Sequence, residues 1–290
     1  MARRLTPPFK YFGGKSKIMA KLLELIPPHT TDVEVFGGAG GLLIAKPPSP
    51  VEVFNDINSN ITNFYKVLRN KKKLNELIRQ LALSPYSREE YKTCLKSLND
   101  NRIGEVERAR CWFVAAAQSF SGLVGKGWSF DKTGTCQFDC IESNKVLADY
   151  LRDIEKCINV HLRIRRVQIE KSDFRKLIPR YDTEDSFYYI DPPYLPVTRP
   201  DSKKRGYQDE MTHEDHEELL DMLLKVKGKC LVSGYESELY ERLTKAGWNK
   251  KKIKVGCGIS TKKNHVKRTE VLWYNYEEPS KRKKLLGGGK

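Results

Sequence analysis

Apolar positions along the chain fall into two rhythms. Short runs rich in β-branched and aromatic residues, at 32–36, 51–55, 187–190 and 230–233, predict buried strands. Between them apolar residues return every three or four positions, which predicts helices with one inward face. Ile18, Leu22, Leu25 and Ile26 make one such face, Ile61, Phe64, Tyr65 and Leu68 a second, and Leu74, Leu77, Ile78 and Leu81 a third. Leu219, Leu220, Leu223 and Leu224 make a fourth, in a helix over 212–226. Helices are also expected from Ser87, over 105–120 with Trp112 and Phe113 in the core, over 144–156 and over 237–246. Alternation of Val160, Leu162 and Ile164 predicts a strand over 158–169; two further strands are expected over 248–259 and 269–276. Strands alternating with helices predict a doubly wound α/β domain.

Local signals punctuate this pattern. Pro27 and Pro28 stop the first helix, and Ser84 with Pro85 breaks another. Asn58 is a helix cap, Ser87 and Glu90 have capping-box spacing, and Gly247 is a C-cap. Residues 70–164 carry mostly helix and then a glycine-aromatic loop, so they read as an insertion. The α/β domain then comprises 1–69 and 165–277, and 278–290 form a flexible basic tail.

Composition adds a partner. A chain of 290 residues with formal net charge +16 and pI near 9.4 is suited to a polyanion. Its seven cysteines follow no repeated spacing, and Cys136 and Cys140 lack the further ligands of a zinc site. They read as reduced thiols of a cytoplasmic protein. No apolar run approaches the roughly 18 residues of a membrane span, and the N-terminus has no signal-peptide core. His213 and His216 are expected in a solvated turn as capping charge rather than as metal ligands, and no metal is expected.

Candidate chemistry gathers where strands end. After the first strand, Gly37 to Gly41 clear room for a ligand, and the helix that follows supplies donors. Asp56 stands about 20 residues on, where an acid accepts from ribose hydroxyls. The glycine register departs from G-x-G-x-x-G, because Leu43 occupies the third position. The loop therefore suits an adenosyl ligand without a pyrophosphate better than NAD. Asp173 lies where a third loop lines the same ligand. Residues 187–190 run straight into Asp191, Pro192, Pro193 and Tyr194. Pro192 bars Asp191 from helical geometry. The rim that results carries the Asp191 carboxylate, the Pro192 carbonyl and the Tyr194 ring, a set that suits a flat heterocycle bearing an amino group. For the polyanion, the candidates are Lys10, Ser121, Lys126, Trp128 and Lys132, the last four in the loop 121–143, with Lys262, Lys263 and Arg268 at a basic hairpin tip. A cationic segment over 195–210 lies next to the proposed pocket in sequence.

Four features occur in order: Phe9-Lys10-Tyr11-x-Gly13-Gly14-Lys15, Glu34-x-Phe36-x-Gly38-x-Gly40, Asn55-Asp56-x-Asn58 and Asp191-Pro192-Pro193-Tyr194. With this order, over about residues 7–276, the chain resembles the DNA adenine methyltransferases of the Dam type. The resemblance implies a class I methyltransferase sheet with residues 70–164 as a target-recognition insertion. It implies S-adenosylmethionine as cofactor and double-stranded DNA as substrate, with base flipping and, in some systems, a cognate restriction enzyme. Tyr11, Lys15, Asp56 and Asp191 match cofactor-lining positions, and Glu34, Phe36, Gly37, Gly38 and Gly40 belong to the cofactor motif. Asp191, Pro192 and Tyr194 match the catalytic motif. Tyr11 stands where Trp is common and Val35 where Pro is frequent; neither change removes a needed group. Methylation of the cytosine amino group needs the same acceptor geometry, but its family usually carries Ser in place of Asp191. Methylation of a glutamine amide or of RNA is a weaker rival, and a DNA-binding module without catalysis is an alternative of a different class.

Overall fold

The computed structural model describes residues 4–130, 145–198, 209–255 and 268–279. In chain order the elements are α1 (Met19–Leu25), β1 (Thr31–Glu34), α2 (Gly41–Ala45), β2 (Val51–Asn55), α3 (Ser59–Arg69), α4 (Lys71–Leu83), α5 (Arg88–Ser97) and α6 (Glu105–Ala117). After these come α7 (Lys145–Ile164), β3 (Gln168–Glu170), α8 (Phe174–Tyr181), β4 (Ser186–Ile190), α9 (His213–Leu223), β5 (Lys229–Gly234), α10 (Glu241–Lys245), β6 (Asn249–Val255) and β7 (Arg268–Tyr274). The seven strands form one mixed sheet in the order β3-β2-β1-β4-β5-β7-β6, an α/β architecture of the class I methyltransferase kind. The chain divides into two compact units, one of Met1–Gly14, Gly38–Ala45 and Asn58–Lys171, the other of Lys15–Gly37, Lys46–Ile57 and Ser172–Lys290.

The first unit is mostly helical. Its core is aromatic: Phe64 stacks on Phe113, and Phe9 meets Phe64 and Trp112 edge-on. The Asn58 side chain accepts from the amides of Asn60 and Ile61 and starts α3, and Asn70 accepts from the Lys73 amide and starts α4. Ser87 caps α5 by accepting from the Glu90 amide, but the box is only half made. The Glu90 carboxylate is taken by Arg110 and by the Cys94 thiol. The strand expected over 158–169 is instead the end of α7, and only Gln168–Glu170 is extended. The buried residues explain why. Ile154, Cys157, Val160 and Ile164 recur every three or four positions and face inward, whereas Ile158 and Leu162 are exposed. Leu162 makes the segment look alternating, yet it contributes nothing to the core. His161 secures this last part of α7 by bonding the Leu68 carbonyl through Nδ1 at 2.6 Å.

The second unit holds the strands that matter for chemistry. β1 pairs in parallel with β2 and β4, and β4 pairs in parallel with β5. β7 returns antiparallel beside β5, and β6 pairs antiparallel with β7. All five residues of β4 are buried, as a strand covered on both faces requires. Val33, Val53, Ile190, Val232 and Trp273 share the core with Phe174, Leu177 and Leu219 from the helices. Under β1 and β2, Lys46 is buried with two acids, Glu52 at 2.7 Å and Asp32 at 3.3 Å. Two expectations change in this unit. The helix expected over 237–246 is helical only over Glu241–Lys245. His216 is not in a solvated turn: it is fully buried and bonds the Tyr240 hydroxyl at 2.9 Å. Thr212 and Asp215 form the capping box of α9.

Beyond β1 the chain turns at Gly37, whose amide donates to the Asn55 carbonyl at 2.7 Å. A Cβ on Gly37 would lie 2.3 Å from the Phe54 ring and 2.8 Å from the Asn55 carbonyl oxygen. Gly37→Ala is therefore expected to lower unfolding stability by about 1–3 kcal/mol through overpacking. Urea denaturation checks this, and an unchanged midpoint would contradict the close approach.

Candidate active site

β1, β4 and β5 run in the same direction, so the residues after their last pairs gather at one edge of the sheet. In register, Glu34 pairs with Tyr189 and Ile190 with Val232. The next positions are Asp191 and Ser233. Side chains on a strand alternate, so Tyr189 and Asp191 project from the same face of the chain. Open α/β sheets bind ligands at this carboxyl edge.

Asp191 is held from both sides. Its Oδ2 is 2.8 Å from Lys15 Nζ, with 18% and 7% of the two side chains exposed. Its Oδ1 accepts from the Ser233 hydroxyl at 2.8 Å. The Ser233 oxygen in turn lies 3.3 Å from the Tyr189 hydroxyl. Burial, and then the nearby Asp191 charge, push the Tyr189 hydroxyl well above its ordinary value, so it stays protonated. The same two causes raise Tyr240.

Tyr194 is buried, and its position is fixed at three points. Its hydroxyl donates to Glu270 Oε2 at 2.8 Å, its ring packs edge-to-face with Tyr235 at 4.7 Å, and Lys15 Nζ sits 4.8 Å from its centroid. Lys15 thus serves Asp191 and Tyr194 together. Pro192 is buried between them in sequence.

The other candidates in this unit occupy neighbouring strand ends. Glu34 ends β1 with 2% of its surface exposed. Phe36 is half-buried against Phe174, with ring centroids 6.0 Å apart. Asp56 is half-buried just past β2. The preceding residue, Asn55, is a clamp that sequence reading missed. Its amide nitrogen donates to the carbonyls of Val35 at 2.8 Å and Ser172 at 3.0 Å, and its oxygen accepts from the Ser172 amide at 2.8 Å. It ties the loop after β3 to the end of β1. Asp173, next in that loop, caps α8 by accepting from the Arg175 amide at 2.8 Å and pairs with the Arg175 side chain at 3.1 Å.

Most of the remaining candidates belong to the helical unit. Gly38 and Gly40 adopt φ of 51° and 64°, a region that favours glycine, and a Cβ on Gly38 would come within 3.2 Å of the Tyr11 ring. Tyr11 packs on Trp112 at 6.2 Å. Lys10 is exposed and pairs with Asp149 at 3.2 Å. Trp128 donates its Nε1 hydrogen to Gln118 at 2.9 Å, stacks on Phe130 at 5.7 Å and lies under Arg88 at 4.9 Å. The start of the loop is thus a packed turn. Ser121 belongs to a short 3₁₀ turn over Phe120–Gly122, Lys126 is exposed, and Arg268 opens β7. Lys132, Lys262 and Lys263 lie outside the described residues, as do most of the cationic segment and the tail.

Ser233, Glu270 and Tyr235 were not anticipated, and Asn55 was named only within the motif Asn55-Asp56-x-Asn58, not as a clamp. Polar residues ending apolar strands were a signal for Ser233 and Asn55. For Glu270 and Tyr235 there was none, because their value depends on which strands become neighbours.

A carboxylate, a proline rim and an aromatic ring at the carboxyl edge of the parallel strands are what methyl transfer to an amino group would need. Comparison with known families makes this particular. Residues 11–256 match the model of the D12 class N6 adenine-specific DNA methyltransferases, and the chain belongs to that family. It is 28% identical to the Type II methyltransferase M1.LlaDCHI of Lactococcus lactis subsp. cremoris, over 94% of this chain and 96% of that one. It is 24% identical to the Type II methyltransferase M.MjaIII of Methanocaldococcus jannaschii, over 93% and 99%. A DNA N-6-adenine-methyltransferase of Escherichia phage P1 is 22% identical over 74% of this chain and 27% of its own length. The protein transfers a methyl group to the N6 nitrogen of adenine in DNA. Among the described residues, no helix is long and apolar enough to cross a membrane.

The bond between Tyr194 and Glu270 makes a stability prediction. Tyr194→Phe and Glu270→Gln should each cost about 1 kcal/mol, and the double variant should cost less than their sum. A double-mutant cycle in urea measures this; strict additivity would mean the bond does not hold the ring.

Proposed function

We propose that Asp191 is the acceptor that activates the adenine amino group, with S-adenosylmethionine as the methyl donor. The observation that carries this reading is the clamped carboxylate: Asp191 fixed by Lys15 and Ser233 beside the anchored ring of Tyr194. When bound, S-adenosylmethionine supplies an electrophilic methyl group on a sulfonium centre. The donor set fits it. Glu34 and Asp56 are carboxylates at adjacent strand ends, suited to ribose hydroxyls and an ammonium group, and the Gly37 turn leaves no side chain there. Phe36 adds an apolar wall, and Asp173 borders the same edge of the sheet. Tyr11, Gly38 and Gly40 are assigned to the same cofactor by their place in the family motifs.

The N6 nitrogen is a poor nucleophile because its lone pair is shared with the ring. Hydrogen bonds from its two hydrogens to Asp191 and to the Pro192 carbonyl would localise that pair and aim the nitrogen; with the donor bound, the N–C bond would form as the carbon–sulfur bond broke to leave a neutral thioether, and one amino proton would pass to Asp191 or to water. Orientation of this kind supplies on the order of 7–11 kcal/mol. The base must leave the duplex first, which costs a few kcal/mol. Stacking on Tyr194, worth about 1–3 kcal/mol in single-strand binders, offsets part of that.

The net charge of +16 supports phosphate contacts. Residues 70–164 are read as the recognition insertion. The candidate DNA contacts are Lys10 in the N-terminal segment, Ser121, Lys126, Trp128 and Lys132 in that insertion, and Lys262, Lys263 and Arg268 at the hairpin tip. The relatives named Type II methyltransferases support a restriction–modification setting with a cognate nuclease.

Asp191→Ala should abolish single-turnover methyl transfer while DNA binding changes little, because the lost interaction is made chiefly in the transition state. A folded variant that methylates at the wild-type rate would overturn the assignment. Asp56→Ala should weaken S-adenosylmethionine binding in calorimetry, by at least about tenfold for a lost charged hydrogen bond, and leave DNA binding alone. Unchanged cofactor affinity would return Asp56 to a structural role.

A further inference from the structure

We propose that Ser233 and Tyr189 form a hydrogen-bond relay that orients the Asp191 carboxylate for methyl transfer, and that both are positioning residues of this enzyme. The inference rests on Asp191 being the acceptor for the adenine amino group and deepens that reading.

The direction of the relay follows from proton counting. A serine hydroxyl has one hydrogen to give. Ser233 gives it to Asp191 Oδ1 at 2.8 Å, where the carboxylate oxygen accepts. The contact of 3.3 Å between Ser233 and Tyr189 must then run the other way, with Tyr189 donating. Tyr189 and Ser233 are both buried, at 5% and 0% exposure, so water does not compete for these bonds. The chain of donors runs Tyr189 to Ser233 to Asp191 and ends on the carboxylate.

This arrangement does something that the ion pair to Lys15 does not. An ammonium group is a rotating point charge that holds one oxygen without fixing the plane of the carboxylate. A second bond on the other oxygen removes rotation about the Asp191 side chain. Each oxygen has two acceptor sites, so one on each stays available for substrate. Strand geometry explains why these three residues meet. Tyr189 and Asp191 are two apart on β4 and share a face, and the parallel register places Ser233 of β5 beside Asp191. A relay also carries a signature that simple packing lacks. Removing its middle member disconnects the outer one, so the effects of the two substitutions overlap instead of multiplying.

The test uses the full-length protein, saturating S-adenosylmethionine and unmethylated plasmid DNA in single-turnover methyl transfer. Ser233→Ala should lower the rate by about 10- to 100-fold, the range typical of losing a group that orients a reacting ligand. Cofactor affinity, DNA affinity and melting temperature should stay near wild type. Tyr189→Phe should cost less, and Ser233→Ala with Tyr189→Phe should be no slower than Ser233→Ala alone. Ser233→Cys, which keeps a weak donor, should fall between Ser233→Ala and wild type. Losses that multiply in the double variant, or a wild-type rate in Ser233→Ala, would overturn the relay. If Ser233→Ala does not fold, Tyr189→Phe and Ser233→Cys decide: wild-type rates in both overturn the relay, and graded losses support it. Asp191→Ala, measured in parallel, separates the two claims. A wild-type rate there removes the underlying reading. A dead Asp191→Ala beside a fully active Ser233→Ala removes only the relay.

Discussion

A carboxylate with only 18% of its side chain exposed must be held by partners, because burying an unpaired charge is prohibitively costly. Asp191 meets this requirement at a point where three parallel strands end. Lys15 arrives from the segment before α1, and Ser233 from the end of β5. The same ammonium lies near the Tyr194 ring, whose hydroxyl reaches Glu270 on β7. Asp191 therefore depends on the order of the sheet, and the pocket rim depends on Asp191. Removing Lys15 would leave the carboxylate without its counter-charge, whereas removing Ser233 leaves the ion pair in place.

The rest of the second unit protects that geometry. Asn55 uses three hydrogen bonds to join the ends of β1 and β2 to the loop at Ser172. Gly37 is pressed so closely on Phe54 and Asn55 that no side chain fits. These contacts are local and rigid, as a site that works by orientation needs. The helical unit is built differently, from aromatic packing and capped helix ends. Its Trp128, Phe130 and Arg88 form a stacked group rather than a loose connector.

Much of this was legible in the chain. Apolar runs located β1, β2, β4 and β5, and prolines, Asn58 and Gly247 marked boundaries that the structure keeps. The proposed chemistry was read from one continuous stretch, because Asp191 is adjacent in sequence to its prolines and to Tyr194. The strand expected over 158–169 failed because Leu162 completes an alternation by chance while facing solvent. His216 was misplaced because its partner, Tyr240, is 24 positions away. Ser233 and Glu270 were missed for the same reason. Each becomes important only when its strand is set beside another, and neighbouring strands are chosen by long-range pairing that local patterns do not encode.

The central claim is that this edge of the sheet methylates an exocyclic amino nitrogen of adenine. It is tested most directly by incubating the protein with unmethylated duplex DNA and S-adenosylmethionine carrying a deuterated methyl group, then digesting to nucleosides for mass spectrometry. The account predicts deuterated N6-methyladenine as the modified base. Label in N4-methylcytosine, or DNA left unlabelled by the folded protein, would contradict it.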